Sequence, residues 1–238
     1  MGERDPISTV DVLVFGPHPD DIEIGLGGTV ARHAAGGHRV GLCDLTRGEL
    51  ATNGTPEERL CEAEEAGVVL GAAWRRNLGW PDGGIDGTAE QVREAVELIR
   101  SARPRVVAVP HWRDRHPDHL AASRVLTDAA FKSRLRRYSA DGHAWEGEWI
   151  CYYFINDASR PSFLVDVSEQ YELKRRALAC HRSQFQPVGD DARATRLTSP
   201  RFLQLIESRD AHYGALAGVA FAEGIVVREP LVRADLFR

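Results

Sequence analysis

Apolar residues along this chain fall into short blocks, and between the blocks they recur at three- and four-residue spacing. The blocks predict buried strands over residues 10–15, 39–44, 106–109, 149–155, 162–165 and 224–227. The spaced stretches predict helices over 24–35, 56–70, 88–102, 117–130, 168–180 and 200–216. Boundary signals agree with several of these. Thr55-Pro56 followed by Glu57 and Glu58 is a helix entrance, Gly36-Gly37 is an exit, and Ser168-Glu169 opens a further amphipathic stretch. Alternation of the two kinds of segment predicts an α/β fold: a Rossmann-like, mostly parallel sheet with helices on both faces, formed by residues 1–238 as one domain. The long polar stretch 183–198 reads as a surface loop bordering the site, and no internal repeat is present.

Two of the strand blocks run into histidine–carboxylate clusters. His18-Pro19-Asp20-Asp21 follows the first block, and His116-Pro117-Asp118-His119 follows the block at 106–109. Open α/β sheets bind ligands just beyond the carboxyl ends of their strands, so parallel strands would bring both clusters to one rim. His18 and Asp21 offer a nitrogen and an oxygen three residues apart, and His119 adds a second nitrogen. A set of two histidines and one carboxylate leaves a position open for water, which is the arrangement of a catalytic zinc rather than a structural one. Asp20 and His116 would then stand unligated beside the metal, where a base and an acid are wanted. Pro117 suits the first position of a helix, which puts His116 and His119 about one turn apart. The competing use of these residues is as plain helix caps and turns, in which Asp and Pro are common. Nitrogen and oxygen ligands also suit Fe2+, Mn2+ or Co2+ in place of Zn2+.

Gly25-Leu26-Gly27-Gly28 sits where a dinucleotide fingerprint would, but Val30 stands in place of the third glycine and a carboxylate-rich loop intervenes. Close packing of a helix on the sheet accounts for these glycines more simply.

Composition adds limits. The 238 residues carry 30 Lys+Arg against 35 Asp+Glu, a formal charge of −5, so no global basic field draws the chain to nucleic acid or to an anionic membrane. The run Lys132-Ser133-Arg134-Leu135-Arg136-Arg137 is a local exception and reads as a solvated helix end. Cys43, Cys61, Cys151 and Cys180 are widely spaced, which fits neither a disulfide framework nor a thiolate zinc site. Met1-Gly2-Glu3-Arg4-Asp5-Pro6 lacks the pattern of a secretory signal and no apolar run is long enough for a membrane span, so the expected location is the cytoplasm. Trp80 and Trp112, nearest the motifs, are candidates for a sugar-stacking ring, with core packing as the commoner use.

Several stretches together carry a family resemblance: His18-Pro19-Asp20-Asp21-Ile22-Glu23-Ile24-Gly25, Asp44-Leu45-Thr46-Arg47-Gly48-Glu49, Asn53-Gly54-Thr55, residues 62–67, Asn77-Leu78-Gly79 and Asp114-Arg115-His116-Pro117-Asp118-His119. They resemble the zinc-dependent de-N-acetylases of the PIG-L/LmbE superfamily, and within it the deacetylases of bacillithiol biosynthesis. The likeness continues through Ser183-Gln184-Phe185 and Ala222-Glu223-Gly224 to Ala234-Asp235-Leu236.

This resemblance implies that His18, Asp21 and His119 bind zinc, that Asp20 is the general base, and that His116, oriented by Asp118, is the electrostatic or acid partner. It implies an N-acetylglucosaminyl substrate, in the bacillithiol pathway N-acetylglucosamine joined to malate, cleaved to the free amine and acetate. Arg59 matches a substrate-contacting position, with Glu49 and Asp82 as sugar-hydroxyl partners. Relatives form homo-oligomers, so a hexamer or trimer is expected. Some relatives supply a tyrosine hydroxyl to the oxyanion, whereas Phe202 occupies that register here and cannot donate. Two alternatives stay open: a de-N-acylase of the same superfamily with another amine substrate, such as a mycothiol precursor, an acylated amino sugar or an antibiotic side chain, and a non-catalytic metal- or sugar-binding module. The second has no use for Asp20 and His116 together.

Overall fold

The computed structural model of the protein describes residues 7–230 and 232; the Met1-to-Pro6 stretch and the Ala234-Asp235-Leu236 match lie outside them. Seven strands form one sheet: β1 (Val12–Gly16), β2 (Val40–Thr46), β3 (Trp74–Trp80), β4 (Val106–Pro110), β5 (Trp149–Tyr153), β6 (Phe163–Asp166) and β7 (Ala222–Val226), in the spatial order β3-β2-β1-β4-β5-β7-β6. The five strands from β3 to β5 are parallel, and β7 runs antiparallel to both β5 and β6. The mostly parallel sheet expected from the alternation is therefore closed by an antiparallel edge.

The helices are α1 (Asp21–Ala35), α2 (Pro56–Leu70), α3 (Ala89–Ala102), α4 (Pro117–Ser133), α5 (Tyr171–Cys180), α6 (Arg182–Phe185) and α7 (Pro200–Ala217), with one 3-10 turn at Ser168–Gln170. α3 and α4 pack together, and their buried side chains join one core with Leu13, Phe15, Val107 and Val109. α1, α2 and α5 pack on one another over a second core built on Val14, Leu42, Ala108 and Tyr153. Successive residues of β1 thus serve opposite cores, as the two-residue side-chain period of a strand requires.

Local chemistry sets the helix boundaries. Thr55 and Glu58 form a reciprocal capping box at the start of α2 (3.2 and 2.8 Å), and Thr88 with Gln91 does the same for α3. α1 begins three residues ahead of the spacing-based expectation, because the amide of Ile24 already bonds the Asp20 carbonyl at 3.0 Å. A Cβ on Gly25 would overlap the Tyr153 ring and crowd the Phe154 carbonyl, so close approach of helix to sheet accounts for that glycine.

The strand β3 escaped the periodicity argument. Its Arg75 is buried between Glu23 and Asp44, an ion cluster whose charges mask the alternation of the Trp-Arg-Arg-Asn-Leu-Gly-Trp segment. What positions the site is the order of the central strands. The chain runs outward from β1 to β2 and β3, then returns to place β4 on the other side of β1, so a crevice opens beyond the carboxyl ends of β1 and β4.

Candidate active site

Both histidine clusters emerge into that crevice. Asp21 opens α1, while His116 caps α4 through its ring, Nδ1 accepting from the Asp118 amide at 3.2 Å. The Asp21 Oδ2 atom lies 3.0 Å from His18 Nδ1 and 3.1 Å from His119 Nε2. The nitrogens of His18, His116 and His119 that could ligate also lie within 4.8 Å of one another.

Each of the two rings against Asp21 has a carboxylate on its other nitrogen. His18 Nε2 is 3.2 Å from both Asp118 Oδ2 and Asp82 Oδ1, and His119 Nδ1 is 3.1 Å from Asp114 Oδ2. Outer carboxylates of this kind fix the tautomer of metal-binding histidines, leaving the inner nitrogen free to ligate. Despite burial, these partners raise both imidazoles, His119 to about 9 through Asp21 and Asp114, while the two rings hold Asp21 far below the carboxylate range. Two positive charges around one carboxylate oxygen are the charge that a divalent cation would bring, and the donor set therefore fits such an ion.

Asp20 stands beside this set without contacting either ring. Its backbone has φ 129° and ψ −26°, a region that side-chain-bearing residues rarely occupy and that costs on the order of 1–3 kcal/mol. Burial raises its carboxyl to about 6, against the opposing charge of Arg59. Arg59 is buried too, and its guanidinium bonds the carbonyls of Gly48 (3.0 Å) and Pro19 (2.8 Å) and the Asp20 carboxylate (3.2 Å). Gly48 has φ 67° and no Cβ, and a Cβ there would overlap that guanidinium.

A cavity of about 550 Å³ opens from the site, lined among others by Asp20, His116, Asn156, Arg115, Arg196 and Phe202. Burial and the charges of His119 and His18 lower His116 below the usual imidazole value. A neutral ring whose Nδ1 is an acceptor carries its proton on Nε2. Phe202 lines the cavity with the Arg196 guanidinium 5.1 Å above its ring, so no hydroxyl is offered from that position.

Three sequence-based expectations change. The Asp118 carboxylate bonds His18 Nε2 and the Gly83 amide (2.8 Å) rather than the His116 ring, because capping turns His116 Nδ1 toward the backbone. Arg59 lines the cavity, but its guanidinium is engaged by the Asp20 loop rather than turned free toward a substrate. Glu49 is outside the cavity lining and accepts from the Asp82 amide at 2.8 Å, while Asp82 spends its oxygens on His18 and the Leu50 amide. Trp80 and Trp112 take the core packing expected as the commoner use: Trp80 is buried with its Nε1 on Glu94, Trp112 stacks on His111, and neither lines the cavity. Asp114 and Asn156 were not singled out from the sequence. A carboxylate two residues before His116 was the available signal, given that ligating imidazoles need outer partners.

The chain is similar to several known deacetylases. The family profile PIG-L, described as GlcNAc-PI de-N-acetylase, matches residues 13–130. Diacetylchitobiose deacetylase of Thermococcus kodakarensis is 31% identical over 231 residues, covering 90% of this chain and 81% of the relative. The 1D-myo-inositol 2-acetamido-2-deoxy-alpha-D-glucopyranoside deacetylase of Saccharomonospora viridis is 30% identical over 233 residues, covering 76% and 87%. Among solved structures, a conserved protein from Thermus thermophilus superimposes with a TM-score of 0.88 at 39% identity, over 97% of this chain and 100% of that one. N,N'-diacetylchitobiose deacetylase from Pyrococcus horikoshii does so with a TM-score of 0.77 at 25% identity, over 93% and 83%.

Proposed function

Because the chain belongs to the PIG-L family, whose members are metal-dependent deacetylases of N-acetylglucosamine-type substrates, we propose that it removes the acetyl group from an N-acetylglucosaminyl conjugate with an anionic aglycone, N-acetylglucosaminyl malate being the substrate read here. The products are glucosaminyl malate and acetate. The observation that carries the reaction is the carboxylate-backed pair of histidines around Asp21 with a second, unligated carboxylate, Asp20, beside it. The observation that favours an anionic aglycone is the pair of guanidiniums, Arg115 and Arg196, in the cavity wall.

His18, Asp21 and His119 would hold the ion, with the family's zinc as the reading. Such an ion supplies Lewis acidity at the acetyl carbonyl and acidifies a water. Asp20 takes that water's proton as the oxygen adds to the amide carbon. His116 Nε2–H donates to the developing oxyanion, the task that Phe202 cannot share. Asp20 then returns its proton to the glucosamine nitrogen as the C–N bond breaks, so one water is consumed and no other reactant is needed. Asp118 and Asp82 hold His18 throughout, and Arg59 holds Asp20.

The relatives' names favour a second reading, in which the aglycone is an inositol or a second sugar. Acetate release from N-acetylglucosaminyl malate, the inositol conjugate, diacetylchitobiose and plain N-acetylglucosamine separates the two. The malate conjugate should have the highest kcat/KM, and Arg115→Met should lower it by roughly ten- to a hundredfold while leaving plain N-acetylglucosamine nearly unchanged. Preference for the inositol conjugate or the disaccharide would retire malate.

A further inference from the structure

A chain of contacts leads from the cavity wall to His119. Asp114, whose Oδ2 faces His119 Nδ1, is held by Asn156: the Asn156 amide N–H donates to Oδ2 and its Nδ2 to Oδ1, both at 3.1 Å, and that Nδ2 also lies 3.4 Å from His119 Nδ1. The His116 amide adds a third donor to Oδ1 at 2.9 Å. The side-chain oxygen of Asn156 accepts in turn from Arg196 Nη1 at 3.2 Å. Arg196 belongs to the irregular segment between α6 and α7, which lines the cavity through Thr195, Arg196 and Leu197. On its other flank the segment is tied by Asn53, whose side-chain amide pairs with the Arg193 backbone in both directions at 2.8 and 2.9 Å. The loop is thus slung across the cavity between the β2–α2 connection and the end of β5.

We propose that Asn156 is a positioning residue for the metal ligand His119, and that Arg196 connects it to the cavity loop, so that substrate held by the loop and the setting of that ligand are coupled through Arg196, Asn156 and Asp114. The proposal rests on the reading that His119 holds the ion. Three donors on one carboxylate leave Asp114 a single orientation, and that orientation keeps Nδ1 of His119 outward and Nε2 toward Asp21. An amide suits position 156 because it is a donor on one side and an acceptor on the other. The Arg196 charge polarises the amide oxygen and strengthens the donor that reaches Asp114, as in any chain of hydrogen bonds. Displacing the loop withdraws that charge.

The test is a Zn2+ titration of the metal-free, full-length protein against a competing chromophoric chelator, with and without saturating glucosaminyl malate, which carries the anionic aglycone and has no acetyl group to lose. Asn156→Ala should weaken zinc binding by about 10- to 100-fold. Arg196→Met keeps an apolar stem over Phe202, should leave the metal-free Tm unchanged, and should reduce by roughly two- to tenfold the gain in zinc affinity that the sugar produces. Zinc affinity of Asn156→Ala within about twofold of wild type overturns the positioning role, and an undiminished sugar-induced gain in Arg196→Met overturns the coupling. Should Asn156→Ala not fold, Asn156→Ser replaces it under the same twofold criterion, and Arg196→Met tests the coupling as before. A His119→Ala protein that binds zinc as wild type does would instead overturn the metal-site reading itself.

Discussion

The Asp20 carboxylate is placed by its backbone and by one neighbour. A φ of 129° turns it away from the rings that Asp21 engages, and Arg59 pins the loop by bonding the Pro19 and Gly48 carbonyls as well as Asp20. Asp20→Asn should therefore keep bound metal, measured by elemental analysis, while turnover falls by about 10²–10⁴. Near-normal turnover in the metal-replete variant would remove Asp20 as the base. Arg59→Lys replaces a planar fork by a point charge that cannot serve three oxygens at once. It should lower kcat by about a hundredfold through misplacement of Asp20, equally for N-acetylglucosaminyl malate and plain N-acetylglucosamine. A loss confined to the malate conjugate would restore the direct substrate contact that the resemblance implied for Arg59.

Among the elements, β3 shows most clearly what patterning hides. The strands at β1 and β4 were legible because they are apolar runs, and the cap at Thr55 because its chemistry is local. β3 was not, since its inward Arg75 becomes tolerable only when Glu23 from α1 and Asp44 from β2 arrive, partners distant in sequence. The same reason separates the parts of the site. His18, Asp20, Asp21, His116 and His119 announce themselves by spacing, whereas the turning of Asp118 to His18, the burial of Arg59 and the roles of Asp114 and Asn156 depend on which loops meet. Arg75→Met leaves two buried carboxylates facing each other, with the His181 ring, 3.3 Å from Glu23, as the one remaining nitrogen partner that the described residues show. It should cost about 3–5 kcal/mol in urea unfolding, because removing one partner of a buried ion cluster strands the others. A loss below about 1 kcal/mol would mean that the cluster contributes little.

Over the whole molecule, a second buried ion cluster ties the late elements to the first helix. Lys174 on α5 bonds Asp210 on α7 and Glu223 on β7, each at 2.6 Å, and Glu223 accepts the Gly28 and Thr29 amides inside α1. Burial works against the Asp210 charge, but Arg209 and Lys174 hold its carboxyl below the ordinary value. A carboxyl lowered in the folded state contributes stability that is complete above the unfolded pKa, about 4, and is lost as pH falls through the folded one. This group should thus leave Tm flat between pH 7 and 5 and reduce it below about pH 4. Asp210→Asn should melt lower at pH 7 and show a shallower acid decline. An equally steep decline in that variant would assign acid sensitivity to other carboxyls.

The adjacency of β1 and β4 has a mechanical consequence. His18 and Asp118 are 100 positions apart in the chain yet in contact, and the clusters they belong to follow strands that lie side by side. An ion shared by those clusters is a cross-link spanning the early and middle thirds of the polypeptide, closed only once the sheet has formed. A chelator then acts as a denaturant of a particular kind: at a free metal concentration of 1,000 times Kd, stripping the ion withdraws about 4.1 kcal/mol from the folded state. Melting curves with and without chelator read this directly, and protease should find the chelated chain first at the seam between those two strands.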